Sequence, residues 1–109
     1  MRLLHLYSPY AHHSDGFVVG TPAGLKALRD AIDRALKSKY ALTEVSHNDG
    51  EEYNVMVVGI VEDAIENRLA LPYTANYARD SRDDAVRPHE LLTNEAYEKL
   101  LLQQEENHG

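Results

Sequence analysis

Apolar side chains recur at Leu25, Leu28, Ile32 and Leu36, with Ala31 and Ala35 beside them. This three-and-four spacing predicts one stripe of an amphipathic helix over residues 21–40. Thr21 stands where an N-cap accepts a bond from an orphan amide, and Pro22 follows at the first helical position, where its missing N–H costs nothing. The other positions carry Lys26, Arg29, Asp30, Asp33, Arg34 and Lys37 in opposite-charge pairs. Each pair gives only about 0.2–0.5 kcal/mol, so the apolar stripe is expected to hold the helix in place. On that reading Leu28→Ala and Ile32→Ala each remove about 2–5 kcal/mol.

The flanking patterns read as strands. Residues 2–7 are short, apolar and closed by Ser8-Pro9, and Phe17-Val18-Val19 is a brief β-favouring run leading through Gly20 into the helix. Residues 41–47 form a mixed strand, and Asn48-Asp49-Gly50 supplies the positive-φ chemistry of a tight hairpin. The return strand, residues 53–61, holds Val55, Met56, Val57, Val58, Ile60 and Val61, an unbroken run expected to be buried on both faces. Residues 62–67 form a charged connection with one turn of helix. Leu69, Leu71 and Tyr73 alternate with Ala70 and Pro72, a fifth strand that Pro72 restricts to a sheet edge. Residues 74–88 are polar and aperiodic, as functional or disordered loops are. Pro88 to Asn94 introduce a last helix from Glu95 to about Gln104, and residues 105–109 are expected to fray.

The predicted fold is α+β, one domain over residues 1–109. It has two layers: a mostly antiparallel sheet of about five strands in the order ββαβββα, the central helix on one face and the C-terminal helix at its side. The edge strand at residues 69–73 makes a homodimer available. The absence of cysteine excludes thiolate metal sites, disulfides and a thiol nucleophile. The first residues are interrupted by His5 and do not read as a signal peptide, and no run approaches the ~20 apolar residues of a spanning helix, so a cytoplasmic protein without membrane contact is expected.

The net charge of −7 is unevenly placed. Residues 1–50 carry six Lys/Arg against five Asp/Glu, and residues 51–109 carry five against thirteen. An acidic surface repels phosphate backbones, so nucleic acid is not expected as a partner and a basic protein is the easier choice. Glu51, Glu52, Glu62, Asp63 and Glu66 flank the two ends of the hydrophobic return strand. They are too far apart for one tight cluster, but border one broad acidic face to which Asp80, Asp83 and Asp84 add. The alternative for all of them is a solvated rim that keeps a small protein soluble.

Residues 12–20 (His12-His13-Ser14-Asp15-Gly16-Phe17-Val18-Val19-Gly20), the helix segment from Gly24 to Asp33, and Asn48-Asp49-Gly50-Glu51-Glu52-Tyr53 resemble a group of small uncharacterised bacterial accessory proteins. Such proteins occur in integron gene cassettes and beside toxin loci. The resemblance spans about the first two thirds of the chain. It implies a mobile accessory protein of immunity type and brings no assigned activity or catalytic residue.

Candidate chemistry gathers around the histidines. Tyr10, His12, His13, Phe17 and His47 are the residues from which a Tyr/His-lined ligand pocket would be built. His12, His13 and Asp15, with His47 or Asp49 as a distant ligand, have the donor types of a metal site, but no His-x-x-x-His spacing supports one and none is assigned. Asp15, His47 and Asp49, with Tyr10, Tyr53 and Tyr73, would serve a minor hydrolase if they met in space. Gly20-Thr21-Pro22-Ala23-Gly24 lacks both the Walker and the dinucleotide glycine patterns, and no cofactor is expected. The leading expectation is a small acidic, non-enzymatic protein-interaction module. A small-ligand-binding protein and a minor hydrolase are the alternatives.

Overall fold

The structure, a computed structural model, describes residues 1–73, 82 and 84–108. The chain is α+β. Strands β1 (Leu4–Tyr7) and β2 (Phe17–Gly20) precede helix α1 (Pro22–Ser38), which leads into β3 (Tyr40–Ser46) and β4 (Glu52–Val58). A one-turn helix α2 (Asp63–Glu66), a 3-10 turn (Pro88–Leu91) and helix α3 (Asn94–His108) complete the described elements. The strands form two antiparallel two-stranded sheets, β1 with β2 and β3 with β4, in place of the expected single sheet of five. One parallel bridge, Leu3 to Ser46, stitches the two together, and the Ser46 N–H donates to the Arg2 carbonyl at 2.9 Å.

No fifth strand forms at residues 69–73. Leu69 makes an isolated parallel bridge to Val86, and the chain from Ala70 to Tyr73 takes no regular structure. Pro72 lacks the N–H a ladder needs, so pairing that starts at Leu69 does not propagate. Asp80 and Asp83 lie outside the described residues, as does most of the aperiodic stretch; Asp84 belongs to the described part, where its carbonyl accepts from the Arg68 side chain at 2.9 Å.

Helix α1 begins as its sequence dictates. Thr21 is the N-cap, and its hydroxyl accepts the Gly24 N–H at 3.2 Å. The same oxygen accepts the Leu3 N–H and donates to the Met1 carbonyl, tying the N-terminal strand to the helix start. The face the helix buries is not the leucine stripe. Gly24, Ala27, Ala31 and Ala35 are buried against the sheet, Leu28 is half-buried, and Leu25, Ile32 and Leu36 stand 43%, 42% and 81% exposed. The reason is distance. A Cβ added at Gly24 would overlap the Leu3 carbonyl oxygen, so the helix axis runs too close to the strands for large side chains to fit between.

The β3–β4 sheet is covered on both faces, so the structure has a third layer where two were expected. Ala41, Val45, Val55 and Val57 face α1, and Leu4 joins Ala27, Val45 and Val55 in the larger core cluster. Residues one step along the strands, Tyr40, Met56 and Val58, point to the opposite face and line cavities shared with the 3-10 turn and α3, where Leu100 is buried. The more buried strand is β3, with Ala41, Leu42, Thr43 and Val45, whereas in β4 only Val55 is buried and beyond it Val61 is exposed. α3 is helical through His108, past the end of its periodic stretch. Among the described residues no helix is long and apolar enough to cross a membrane.

Candidate functional site

The β1–β2 ribbon leaves the body of the protein. Leu3 is the last residue of the first segment bridged to β3, and β3 ends at Ser46, so β1 runs on alongside the β3–β4 turn instead of along a strand. The ribbon register is Leu4 to Gly20, His5 to Val19, Leu6 to Val18 and Tyr7 to Phe17. Alternation puts Leu4, Leu6 and Val18 on one face and His5, Tyr7, Phe17 and Val19 on the other. Leu4 is fully buried. Leu6, Tyr7, Phe17, Val18 and Val19 are 45–58% exposed, so both faces of the ribbon past Leu4 show large apolar side chains to solvent.

Three side chains, His5, His47 and Tyr53, brace the ribbon against the turn. The His5 Nε2 accepts the Asn48 N–H at 3.2 Å, which places the ring proton on Nδ1, 2.7 Å from the Tyr7 hydroxyl to which it donates. The His5 ring meets His47 edge-on with centroids 4.9 Å apart, and His47 stacks on Tyr53 at 4.2 Å. The Tyr53 hydroxyl donates to the Leu4 carbonyl. Burial pushes the Tyr53 phenol above its ordinary value, because the phenolate loses hydration there. A raised native value means that the native state holds this proton more tightly than the unfolded chain. Its contribution to stability is therefore complete below pH 10 and is lost as the pH rises through the native value. Tyr53→Phe is expected to cost about 1 kcal/mol at neutral pH, from the lost hydrogen bond, and to make stability fall less steeply above pH 10 than in the wild type, measured by urea unfolding across pH.

The expected pocket residues fall into separate groups. His47 belongs to the brace, with His5 and Tyr53 as its ring neighbours. His12 and His13 lie in a turn closed by Ser14 on the Ala11 carbonyl, with His13 at φ +68. That sharp turn sets the two imidazoles edge to face at 4.0 Å, and His12 meets Tyr73 at 5.7 Å. Among the described residues no group of three or more His, Asp or Glu is placed to hold a metal. Tyr10 projects into solvent at 71% exposure, and Phe17 belongs to the ribbon.

The acidic residues divide as their spacing requires. Glu51 and Glu52 are exposed at the turn end of β4, next to Asn48, which His5 grips. Glu62, Asp63 and Glu66 follow the other end of β4, roughly 20 Å away for a seven-residue strand, and Asp63 and Glu66 bound α2. The exposed apolar ribbon thus has an acidic turn at its side. A separate apolar cavity of about 350 Å³ opens on the far face of the β3–β4 sheet, lined by Met56, Val58, Pro88, His89, Leu92 and Tyr97 among others. Neither His5 nor the exposure of the ribbon is legible in the sequence pattern: His5 only interrupts an apolar run, and its partner Asn48 lies 43 residues away. Compared with protein-family models, curated proteins and solved structures, the chain matches none.

Proposed function

We propose that this chain is a small non-enzymatic protein-interaction module, immunity- or inhibitor-like, that docks a basic protein partner through the β1–β2 ribbon and the acidic turn beside it. The observation that carries the reading is the ribbon itself: five large apolar side chains about half exposed on a two-stranded element that projects from the core. An isolated ribbon of this kind is marginal in water, and an apolar centre with a charged rim is the anatomy of a docking surface. Glu51 and Glu52 supply the rim, and the surplus of acid after residue 50 supplies a field that draws a basic partner from a distance.

The two parts act on different rates, which makes the reading testable on a partner captured from the source cell. Neutralising Glu51, Glu52, Glu62 and Asp63 to Gln or Asn is expected to slow association several-fold at low salt. The effect should shrink near 0.5 M salt, where the Debye length falls to about 4 Å. Phe17→Ser, which removes an exposed side chain, is expected to speed dissociation at least about ten-fold while the protein stays folded. A captured protein whose association ignores salt and the four neutralisations, and whose dissociation ignores Phe17→Ser, defeats the reading.

One observation favours the ligand-binding alternative. The cavity of about 350 Å³ beside α3 has the size and apolar lining of a small-molecule site. A metabolite that raises the melting temperature of the wild type but not of Met56→Trp, which fills that cavity, would establish it.

A further inference from the structure

The free edge of β2 identifies an occupant for part of this surface, resting on the interaction reading above. Strand β2 has β1 as its one ladder partner among the described residues. The Thr21 N–H donates to the Leu3 carbonyl, so Thr21, and by alternation Val19 and Phe17, direct their backbone groups toward β1. Gly16, Val18 and Gly20 therefore direct theirs outward. The edge so presented contains no charge and no proline between Asp15 and Pro22. Natural edge strands are commonly guarded by one or the other, and an unguarded one is a template for another strand.

We infer that this edge pairs with a second copy of itself, antiparallel, with Val18 on the two-fold axis. The sequence around Val18 is self-complementary in that register. Val18 lies opposite Val18 of the second copy and exchanges both backbone hydrogen bonds with it. Gly16 lies opposite Gly20, so the outer bonded pairs carry no side chains to collide. Phe17 lies opposite Val19, which sets each large ring against a smaller neighbour in the closely spaced pair. Asp15 lies opposite Thr21, so no like charges meet. The two ribbons become one four-stranded sheet, past the three strands at which such an element gains stability of its own.

The contact is small, as edge pairing requires: it covers the backbone from Gly16 to Gly20 and the flanks of Phe17, Val18 and Val19, which are each more than half exposed. Contacts of this kind stand at the weak, reversible end of specific interfaces. The pairing uses the edge and leaves the face bearing His5, Tyr7, Phe17 and Val19 open, so the dimer offers a partner that face twice.

The test is sedimentation equilibrium of the purified chain from about 1 µM to about 500 µM, where a monomer–dimer equilibrium with a midpoint of about 10–100 µM is expected. Val18→Lys and Val18→Asp each put like charges on the axis and are expected to weaken self-association at least about ten-fold, and an equimolar mixture of the two should recover a heterodimer. Val18→Pro removes an outward N–H and none that faces β1, so it should also yield a monomer with native circular dichroism. Leu36→Lys, on the exposed flank of α1, should dimerise as the wild type does. A wild type that is monomeric throughout, a dimer indifferent to Val18→Lys and Val18→Pro, or a Lys and Asp mixture that fails to pair overturns the inference. A monomeric wild type that still binds its partner through Phe17 defeats this inference alone. A wild type that dimerises as described but whose captured partner ignores Phe17→Ser and the charge changes defeats only the interaction reading.

Discussion

Gly24→Ala is expected to lower the melting temperature by roughly 15 °C, although alanine is the better helix former. Propensity favours the change by about 1 kcal/mol. Against it stands the Leu3 backbone: the new Cβ would overlap the carbonyl oxygen and press on the carbonyl carbon behind it. Backbone on a strand cannot rotate away as a flexible side chain does. Leu3 is held there on one side by the Thr21 N–H to its carbonyl and on the other by the bridge to Ser46. Overpacking a core costs about 1–3 kcal/mol and more where nothing yields, so a net loss of about 3 kcal/mol is expected. A domain of this size loses about 4–8 °C per kcal/mol, which sets the shift. Calorimetry of Gly24→Ala beside the surface change Lys26→Ala checks it, and near wild-type melting would mean that α1 does not approach the first strand as described.

Leu4→Ala is expected to be the most damaging apolar truncation, at about 3–5 kcal/mol. Leu4 has no exposed surface and joins Ala27 of α1, Val45 of β3 and Val55 of β4, so among the described residues ribbon, helix and sheet share a core through it. Its removal leaves a cavity among elements that cannot collapse onto it. It should also release the ribbon, so partner binding falls with stability. Ile32→Ala, which its spacing would rank with the core, should cost less than about 1 kcal/mol because the side chain is 42% exposed. Urea unfolding of the two variants separates them, and equal losses would return the leucine stripe to the core.

That contrast shows how far the sequence could be read. The elements from residue 4 to residue 66 are legible because each has a local cause. Thr21 and Pro22 start α1, and Gly50 takes φ +88 in the β3–β4 turn. Thr93 caps the last helix by accepting the Ala96 N–H at 3.1 Å. Which face of α1 is buried has no local cause. Gly24, Ala27, Ala31 and Ala35 repeat at the same spacing as the leucines, and the choice between the two stripes rests on how closely the strands approach, which Gly24 decides through Leu3. The fifth strand failed because alternation at residues 69–73 carried no information about a partner able to pair past Pro72. For the site, the two ends of the acidic group were legible from the length of β4. The ribbon was not: Leu6, Tyr7, Phe17, Val18 and Val19 read as ordinary strand residues, and only the early end of β3 at Ser46 leaves them uncovered. The His5, His47 and Tyr53 brace joins residues up to 49 positions apart, beyond the reach of any motif.

The measurement that bears most directly on the interaction reading is methyl and aromatic NMR of the chain with and without its captured partner. The ribbon side chains Leu6, Tyr7, Phe17, Val18 and Val19 are expected to shift on binding. Met56, Leu92 and Tyr97 at the far cavity should stay in place, and Leu4 should move little because it is buried in both states. Shifts centred on Met56, Leu92 and Tyr97, with the ribbon signals unchanged, would contradict the account.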